Sequence, residues 1–347
     1  MDKFVKYIIK YNKDLDPVID QVFDRDKKRL SQIAPVVEQF ADDYKHFLKG
    51  GKKLRGSEIF LGYKMFGGKS KKMGLMASLV IEIVHSFLLI HDDFMDGDAL
   101  RRGEPTMHKK YAKKYGDHFG ESMAIDIGDE GCFLAFKLLN SLKLPRERLS
   151  KATQFFSDLL LEVGAGQALD LMYEEEKNLL EETVLRIHRY KTAGYTISGP
   201  LSIGALLAGA SKKVLKPLEK FGIPVGVAFQ IRDDELGMFS TEEQLGKPVD
   251  SDLKEGKITL LMVKALELAR GDDKKFLKYA HGNQHLTLKE VERARQIIKD
   301  TGAYNYSHNK GRQLVEEGKK FIPQITKNKK DQEILGLLAD FMIERKS

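Results

Sequence analysis

Composition and charge restrict what this chain can be. Of its 347 residues, 42% are hydrophobic and 31% are charged, which is typical of a soluble globular protein. The single cysteine, Cys132, excludes an internal disulfide and fits a reducing cytosol. The net charge of +7 favours acidic partners, such as nucleic acid, anionic membranes or phosphorylated small molecules, although a lysine-rich solubilising surface would carry the same charge.

No segment is predicted to export the protein or to anchor it in a membrane. Residues 1–20 carry too many charges for a secretory signal. The longest apolar run, around residues 75–90, contains Glu82 and His85 and falls short of the ~18 apolar residues that a spanning helix needs. We therefore expect a cytoplasmic protein with no stable membrane insertion.

Long segments without proline predict an all-α fold. Such segments cover residues 36–104, 106–144, 146–199 and 249–322. Within the first, apolar residues recur at helical spacing at Met76, Leu79, Val80, Ile83, Val84, Phe87 and Leu88. Few segments alternate with period two, and neither an internal repeat nor a low-complexity linker divides the chain. The sequence therefore predicts one large helical domain over residues 1–347.

A cluster of acids follows this apolar helix, in the segment HDDFMDGDALRRGEPT (91–106). Asp92 and Asp96 are four residues apart and share a helix face, whereas Asp93 is rotated by about 100°. Two carboxylates on one face repel each other unless a cation lies between them. Oxygen ligands without a set of Cys or His favour Mg²⁺, or Mn²⁺, over zinc; His91 beside them is interpreted as a packing or hydrogen-bonding residue. The alternative is a solvated helix end.

A second acidic pair, Asp233 and Asp234, again follows an apolar helical segment. Two such helices facing each other would place carboxylates on opposite walls of a central cavity in a helical bundle. Because Mg²⁺ is usually held by one or two carboxylates together with phosphate oxygens, the pattern predicts a diphosphate clamped through metal ions.

Basic residues accompany both acidic pairs. Arg101 and Arg102 follow the first pair, and Lys247 and Lys257 follow the second. The segment GGKKLRG (50–56) adds Lys52, Lys53 and Arg55 between glycines, which let a backbone approach an anion closely. Arginine binds phosphate through two hydrogen bonds and lysine as a point charge, so the set is suited to diphosphates.

These segments resemble the trans-isoprenyl diphosphate synthases, or polyprenyl synthetases, in order and spacing. The resemblance runs from GGKKLRG (50–56) through HDDFMDGDALRRGEPT to FQIRDDELGMFSTEEQLGKPVDSDLKEGK (229–257) and GKITLL (256–261). It is greatest to archaeal-type geranylgeranyl diphosphate synthases. It implies an all-α isoprenoid-synthase bundle with a central cavity, and a Mg²⁺-dependent prenyltransferase that condenses isopentenyl diphosphate with allylic diphosphates of 5 to 15 carbons.

The resemblance also implies residue roles. The first acidic motif comprises Asp92, Asp93 and Asp96, of which Asp92 and Asp96 would hold two Mg²⁺ ions. Asp233 would hold a third Mg²⁺ with support from Asp234. The allylic substrate would be contacted by Arg101, Lys191, Thr192, Gln230, Lys247 and Lys257. Gln167, also included among the substrate-binding residues, forms a polar pair with Asp170 on a central helix. The diphosphate of isopentenyl diphosphate would be held by Lys52, Arg55 and Arg102. The resemblance further implies a homodimer.

Two positions depart from the family pattern. The second motif usually ends in an aspartate, where this chain has Gly237, so we expect a weaker or water-mediated contribution there. A histidine that touches isopentenyl diphosphate is expected nine residues after Arg55, where this chain has Lys64. Lys64 is accordingly included among the substrate-binding residues, with a surface lysine as the alternative.

Two residues before the first acidic motif are expected to set product length. Phe87 precedes Asp92 by five residues, about 7.5 Å along a helix, and Leu88 by four. In the resembling family, an aromatic at the fifth position with a smaller residue at the fourth suggests a C20 product, geranylgeranyl diphosphate. The alternatives are that Phe87 is ordinary core, or that the product is farnesyl diphosphate (C15) or longer.

Three other functions were weighed. A terpene cyclase would have no need of GGKKLRG or Arg102. A non-catalytic partner subunit of a prenyl synthase would typically lack the first acidic motif, which is intact. A nucleic-acid-binding protein is disfavoured because basic and acidic residues alternate, there is no tryptophan, and no recognition module is visible.

Overall fold

The computed structural model describes residues 3–176, 180–241 and 250–345. In this part of the chain nearly all regular structure is helical, and the prediction of an all-α fold is confirmed. The strands found there, Leu100–Arg101 (β1) and Glu104–Pro105 (β2), form one antiparallel hairpin.

The helices form two compact units. The first comprises Met1–Phe156 and Pro200–Val214, and the second comprises Ser157–Gly199 and Leu215–Ser347. The assignment of residues 1–347 to one domain stays a prediction.

The first unit contains α1 (Lys3–Ser31), α2 (Glu38–Lys49), α3 (Leu54–Met65), α4 (Lys71–Met95), α5 (Met107–Tyr115), α6 (Asp117–Asn140) and nearly all of α9 (Gly199–Ala208), with 3-10 turns at Pro35–Val37 and Lys212–Val214. Helix α7 (Arg146–Glu176) begins in the first unit and ends in the second. The second unit adds α8 (Glu181–Ile187), a π-helical segment (His188–Ser198), α10 (Leu215–Phe239), α11 (Ser251–Glu255), α12 (Leu260–Leu268), α13 (Gly271–Ala280), α14 (Leu288–Asp300), α15 (Ala303–Lys319), α16 (Ile322–Ile325) and α17 (Lys329–Glu344).

Helix α4 lies at the core of the first unit, where it packs against α1, α3 and α6. The periodicity of its sequence predicts one buried face, but the consecutive residues Leu79, Val80 and Ile81 are all buried. By length and composition α4 could span a membrane, since its most apolar window of 18 residues has a mean hydropathy of 2.0. This differs from the sequence-based expectation that no apolar run is long enough to span. Because 67% of that window is buried inside the protein, the helix has the character of a core element.

Helix α10 has the corresponding place in the second unit, where it packs against the π-helical segment and α15. Val227 and Ile231 of α10 share an apolar cluster with Ala193 of the π-helical segment and Val263 of α12. In the π-helical segment the hydrogen bonds span five residues instead of four, as in the bond from the Gly199 N–H to the Gly194 carbonyl. Such widened turns are rare and are frequently found at functional sites.

Candidate active site

The first acidic motif lies at the C-terminal end of α4. The Asp98 N–H donates to the Asp93 carbonyl (2.9 Å) and the Gly97 N–H to the Phe94 carbonyl (3.2 Å), and Gly97 adopts a positive φ of 71°. This pair of bonds is a Schellman motif, which ends a helix where a glycine can turn the chain. Asp92 and Asp96 are therefore presented, partly exposed, at the end of a buried helix.

Asp93 behaves differently from its two neighbours, because it is fully buried and its Oδ1 accepts a hydrogen bond from the Nε of Arg101. Burial raises the pKa of Asp93 to about 7, and the Arg101 guanidinium opposes that rise. The Arg101 Nη2 also lies 3.6 Å from Asp98 Oδ2, and this second ion pair further constrains the guanidinium. The structure thus places Asp93 where it orients Arg101.

The hairpin after α4 positions both arginines. Its turn residues, Arg102 and Gly103, have φ of 56° and 79°, as two-residue hairpin loops of the I′ type require. The Arg102 guanidinium donates to the Phe47 carbonyl (3.0 Å) and lies against the glycines at the start of GGKKLRG. A Cβ at Gly50 or Gly51 would lie 3.1 Å from an Arg102 nitrogen, so glycine there permits this close approach.

The structure also brings the first basic segment to α4. Lys53, the residue just before α3, has a φ of 56° and is buried, and its ammonium donates to the carbonyls of Lys49 and Gly51. Lys53 therefore shapes the loop from inside, whereas Lys52 is exposed and Arg55 is buried at the second position of α3.

His85 is a site residue that sequence reasoning missed. Its Nε2 lies 3.2 Å from the Nη1 of Arg55. Burial, together with the charges of Arg55, Arg102 and Arg101, holds the pKa of His85 well below its usual value, so the neutral ring accepts the Arg55 hydrogen bond. The signal was present in the sequence: His85 precedes Asp92 by seven residues, about two helical turns, and therefore shares its face.

Lys64 does not join this group. It is exposed in the last turn of α3, about 13.5 Å along the helix axis from Arg55. Nine residues of helix also rotate it by about 180°, which directs it away from the Arg55 side. The substrate-binding role given to Lys64 therefore has no support in the structure, and His85 occupies the place beside Arg55.

Two buried carboxyl groups lie behind the basic segment. Glu82 accepts a hydrogen bond from the Gly56 N–H (2.6 Å), and burial raises its pKa. Glu58 is fully buried on α3, and within the described part of the chain neither of its oxygens has a hydrogen-bond partner. Burial raises the pKa of Glu58 well above its usual value, and the positive charge of Arg55 reduces this rise.

The two residues expected to set chain length are half-buried on α4. The Phe87 ring meets the His91 ring edge-on, with centroids 4.8 Å apart. The His91 Nε2 lies 3.2 Å from the Ile125 carbonyl, which confirms His91 as a packing and hydrogen-bonding residue. Leu88 is smaller than the aromatic beside it.

In the second unit, a chain of hydrogen bonds connects the π-helical segment to the second acidic motif. The Thr192 hydroxyl donates to Gln230 Oε1 (3.0 Å), and Gln230 Nε2 donates to Asp234 Oδ1 (2.9 Å). His188 Nε2 lies 3.2 Å from the other oxygen of Asp234. Burial raises the pKa of Asp234, and His188 opposes that rise. Sequence reasoning missed His188.

Two predicted lysines of this unit, Lys191 and Lys257, form ion pairs. Lys191 donates to Asp170 Oδ2 (2.6 Å), and half-buried Gln167 lies one helical turn before Asp170. Lys257 lies 3.4 Å from Glu174.

Asp233 is partly exposed and is contacted by the Arg345 guanidinium, which also stacks on the Phe229 ring at 4.0 Å. Lys247 lies outside the described residues.

The comparisons with known proteins agree with this geometry. A family model described as polyprenyl synthetase matches residues 37–298. The chain belongs to this family. A curated geranylgeranyl diphosphate synthase of Sulfolobus acidocaldarius is 35% identical over 95% of this chain and 97% of its own length. A geranylfarnesyl diphosphate synthase of Aeropyrum pernix is 34% identical over 86% of this chain and 92% of its own.

A crystal structure gives the same family. It is that of a geranylgeranyl pyrophosphate synthase from Corynebacterium glutamicum, complexed with isoprenyl diphosphate and magnesium. It superposes with a TM-score of 0.92 at 29% identity and covers 97% of this chain and 99% of its own. The predictions of family, all-α fold and prenyltransferase class are thereby confirmed.

The residues present fit the Mg²⁺ ions on which polyprenyl synthetases depend. Among the described residues, no group of three His, Cys, Asp or Glu side chains forms a ready-made metal cage. Mg²⁺ does not need one, because it is commonly held by one or two carboxylates with water and phosphate oxygens. Each unit offers partly exposed carboxylates for this purpose, Asp92 and Asp96 in the first and Asp233 in the second.

Proposed function

We propose that this protein is a short-chain trans-prenyl diphosphate synthase that makes geranylgeranyl diphosphate (C20) from isopentenyl diphosphate and allylic diphosphates of 5 to 15 carbons. One observation of the structure carries the proposal. His85, Asp92 and Asp96 lie on one face of α4, at spacings of seven and four residues, and the structure adds Arg55 and Arg101 beside this helix. The first unit therefore contains both carboxylates that could hold Mg²⁺ and hydrogen-bond donors for phosphate oxygens.

The groups of the first unit have distinct roles in this proposal. Asp92 and Asp96 would hold Mg²⁺, which would stabilise the charge of the allylic diphosphate, and Arg101, oriented by Asp93, would donate to its oxygens. Arg55 and Arg102, with exposed Lys52, bind the diphosphate of isopentenyl diphosphate. The neutral His85 adds a donor without adding charge.

In the second unit, Asp233 would hold a further Mg²⁺, which brings the proposed number to three, and Mn²⁺ would be the alternative ion. Asp234 is held by Gln230 and supports Asp233. Lys191 and Lys257, in the same unit as Asp233, would donate to phosphate oxygens. Lys191 is fixed by Asp170 and so needs no reorganisation before the substrate enters.

The reaction needs no side-chain nucleophile. The allylic C–O bond breaks with its electron pair on the departing diphosphate, the alkene of isopentenyl diphosphate attacks the allylic cation, and a proton passes from carbon to the released diphosphate. Bound Mg²⁺ supplies Lewis-acid stabilisation of the departing charge, worth several kcal/mol. Orientation of the two substrates by the arginine and lysine groups contributes up to about 7–11 kcal/mol.

In this proposal, product length is limited by a side chain of α4. Half-buried Phe87 lies about 7.5 Å before Asp92 along the helix, where it would stop a C20 tail. Three of the similar relatives are geranylgeranyl diphosphate synthases, and they support C20. The geranylfarnesyl relative favours C25 as the second candidate.

We further propose a homodimer. Large apolar side chains are exposed in each unit, with Phe133 of α6 68% exposed and Leu161 of α7 74% exposed. Contiguous patches of exposed apolar side chains mark interaction sites, so each of these two side chains is a candidate interface residue.

The purified chain would be incubated with labelled isopentenyl diphosphate, Mg²⁺ and, in turn, dimethylallyl, geranyl and farnesyl diphosphate, and the dephosphorylated products would be sized by chromatography. A C20 alcohol that disappears with EDTA is expected. A C25 product would leave the proposed enzyme class unchanged and would replace C20 by C25 as the proposed product length. No metal-dependent elongation with any starter would overturn the proposal and favour a non-catalytic partner subunit.

A further inference from the structure

The second acidic motif of this chain lacks its terminal aspartate, and the structure shows what occupies that space. Gly237 is buried on α10, four residues after Asp233 and therefore on the same helix face. A Cβ at Gly237 would come within 2.5 Å of the Oδ2 of Asp252 and 3.5 Å of its Cγ. The Asp252 carboxylate thus stands where a side chain at position 237 would begin.

Asp252 is held in this position by the contacts of its own short helix. It belongs to the short helix α11, and its carbonyl accepts the Lys257 N–H at 2.9 Å. On the preceding turn, Asp250 forms an ion pair with Lys254 at 2.7 Å. These contacts fix the loop backbone on both sides of Asp252.

The Asp252 carboxylate lies beside the part of α10 that carries the second acidic motif. Gly237, whose side-chain space it occupies, follows Asp233 by one helical turn on the same face. An aspartate at position 237 would add another carboxylate against Asp252, with steric overlap and like-charge repulsion.

We propose that Asp252 supplies, from the following loop, the carboxylate that the second acidic motif lacks at Gly237, and that Gly237 is required because Asp252 occupies its side-chain space. Asp252 then acts toward the Mg²⁺ of this motif, directly or through a bound water. This inference rests on the proposed function, since it assigns a role in the same diphosphate site.

The exchange of two residues tests the proposal. Four chains would be compared, namely wild type, Asp252→Ala, Gly237→Asp and the double variant Gly237→Asp/Asp252→Ala. The first readout is the Mg²⁺ concentration that gives half-maximal thermal stabilisation in the presence of inorganic pyrophosphate, which requires no turnover. The second readout is the Mg²⁺ dependence of product formation.

We expect Asp252→Ala to raise the half-maximal Mg²⁺ concentration about tenfold or more, the usual effect of losing a supporting carboxylate. Gly237→Asp alone should also impair Mg²⁺ binding, because it crowds Asp252. The double variant should return to within about threefold of wild type, which is the non-additivity expected of two groups that share one space.

Two further variants separate charge from packing. Asp252→Asn keeps the shape and should behave like Asp252→Ala if the charge matters. Gly237→Ala adds a Cβ without a carboxylate and should not substitute for Asp252 in the double variant.

An unchanged Mg²⁺ requirement in Asp252→Asn, or a double variant no better than Asp252→Ala, would overturn the inference. Wild type that shows neither Mg²⁺-dependent stabilisation by pyrophosphate nor turnover would instead overturn the proposed function, so the two failures are distinguishable. Melting temperatures without Mg²⁺ and pyrophosphate identify variants that fold poorly.

Discussion

The buried carboxyl group of Glu58 leads to a prediction about stability. Glu58 is 0% exposed, and among the described residues both of its oxygens are without a hydrogen-bond partner. Its pKa is raised well above the usual value by burial, so the neutral acid is the form that the fold favours. The perturbation is Glu58→Gln, which keeps the shape and removes the ionisation.

The sign follows from proton linkage. When the pKa is higher in the folded state than in the unfolded state, the folded state binds more protons between the two values. The contribution of the group to stability is therefore fully present below the unfolded pKa, and it is lost as the pH rises toward the folded pKa. In that window the free energy of unfolding of wild type should fall, relative to Glu58→Gln, by about 1.4 kcal/mol for each pH unit.

Urea unfolding at intervals from pH 5 to pH 8 would measure this difference for wild type and Glu58→Gln. Exposed Glu162 on α7 provides the matched control, because Glu162→Gln should follow wild type at every pH. Parallel pH profiles for wild type and Glu58→Gln would refute the reasoning, since they would mean that Glu58 ionises equally in both states. Because the neutral acid and the amide are alike, turnover near pH 7 should change little.

Three further predictions concern the first unit. Phe87→Ala should lengthen the product beyond C20, because it removes a half-buried ring that lies five residues, or about 7.5 Å of helix rise, before Asp92. An unchanged product by chromatography would show that Phe87 is ordinary core. Asp93→Asn should lower kcat about tenfold or more with little change in fold by circular dichroism, because Arg101 loses its buried anion; an undiminished kcat would show that Arg101 is positioned by other contacts. Phe133→Glu should shift the protein from dimer to monomer in size-exclusion chromatography with light scattering, because it charges a side chain 68% exposed on α6, whereas an unchanged mass would remove this face from the proposed interface.

The sequence alone was sufficient for features that depend on neighbours along the chain. Helix content, the paired aspartates and the end of α4 all follow from residue spacing, because a helix repeats every 3.6 residues and Gly97 can adopt the positive φ that ends it. The same local logic identified His91 as a packing residue and recognised the family from the order of its motifs. His85 could have been found in this way, since it lies seven residues before Asp92.

Only the tertiary structure decided which distant residues share a site. Lys64 and His85 are both plausible phosphate donors by residue type, but Lys64 projects from the far end of α3, whereas His85 lies 3.2 Å from Arg55 across two packed helices. In the same way Gly237 was a departure when considered alone, and its reason appears only with the carboxylate of Asp252, which comes from a separate element. Such contacts depend on how helices pack, and no spacing within one helix encodes the approach of another.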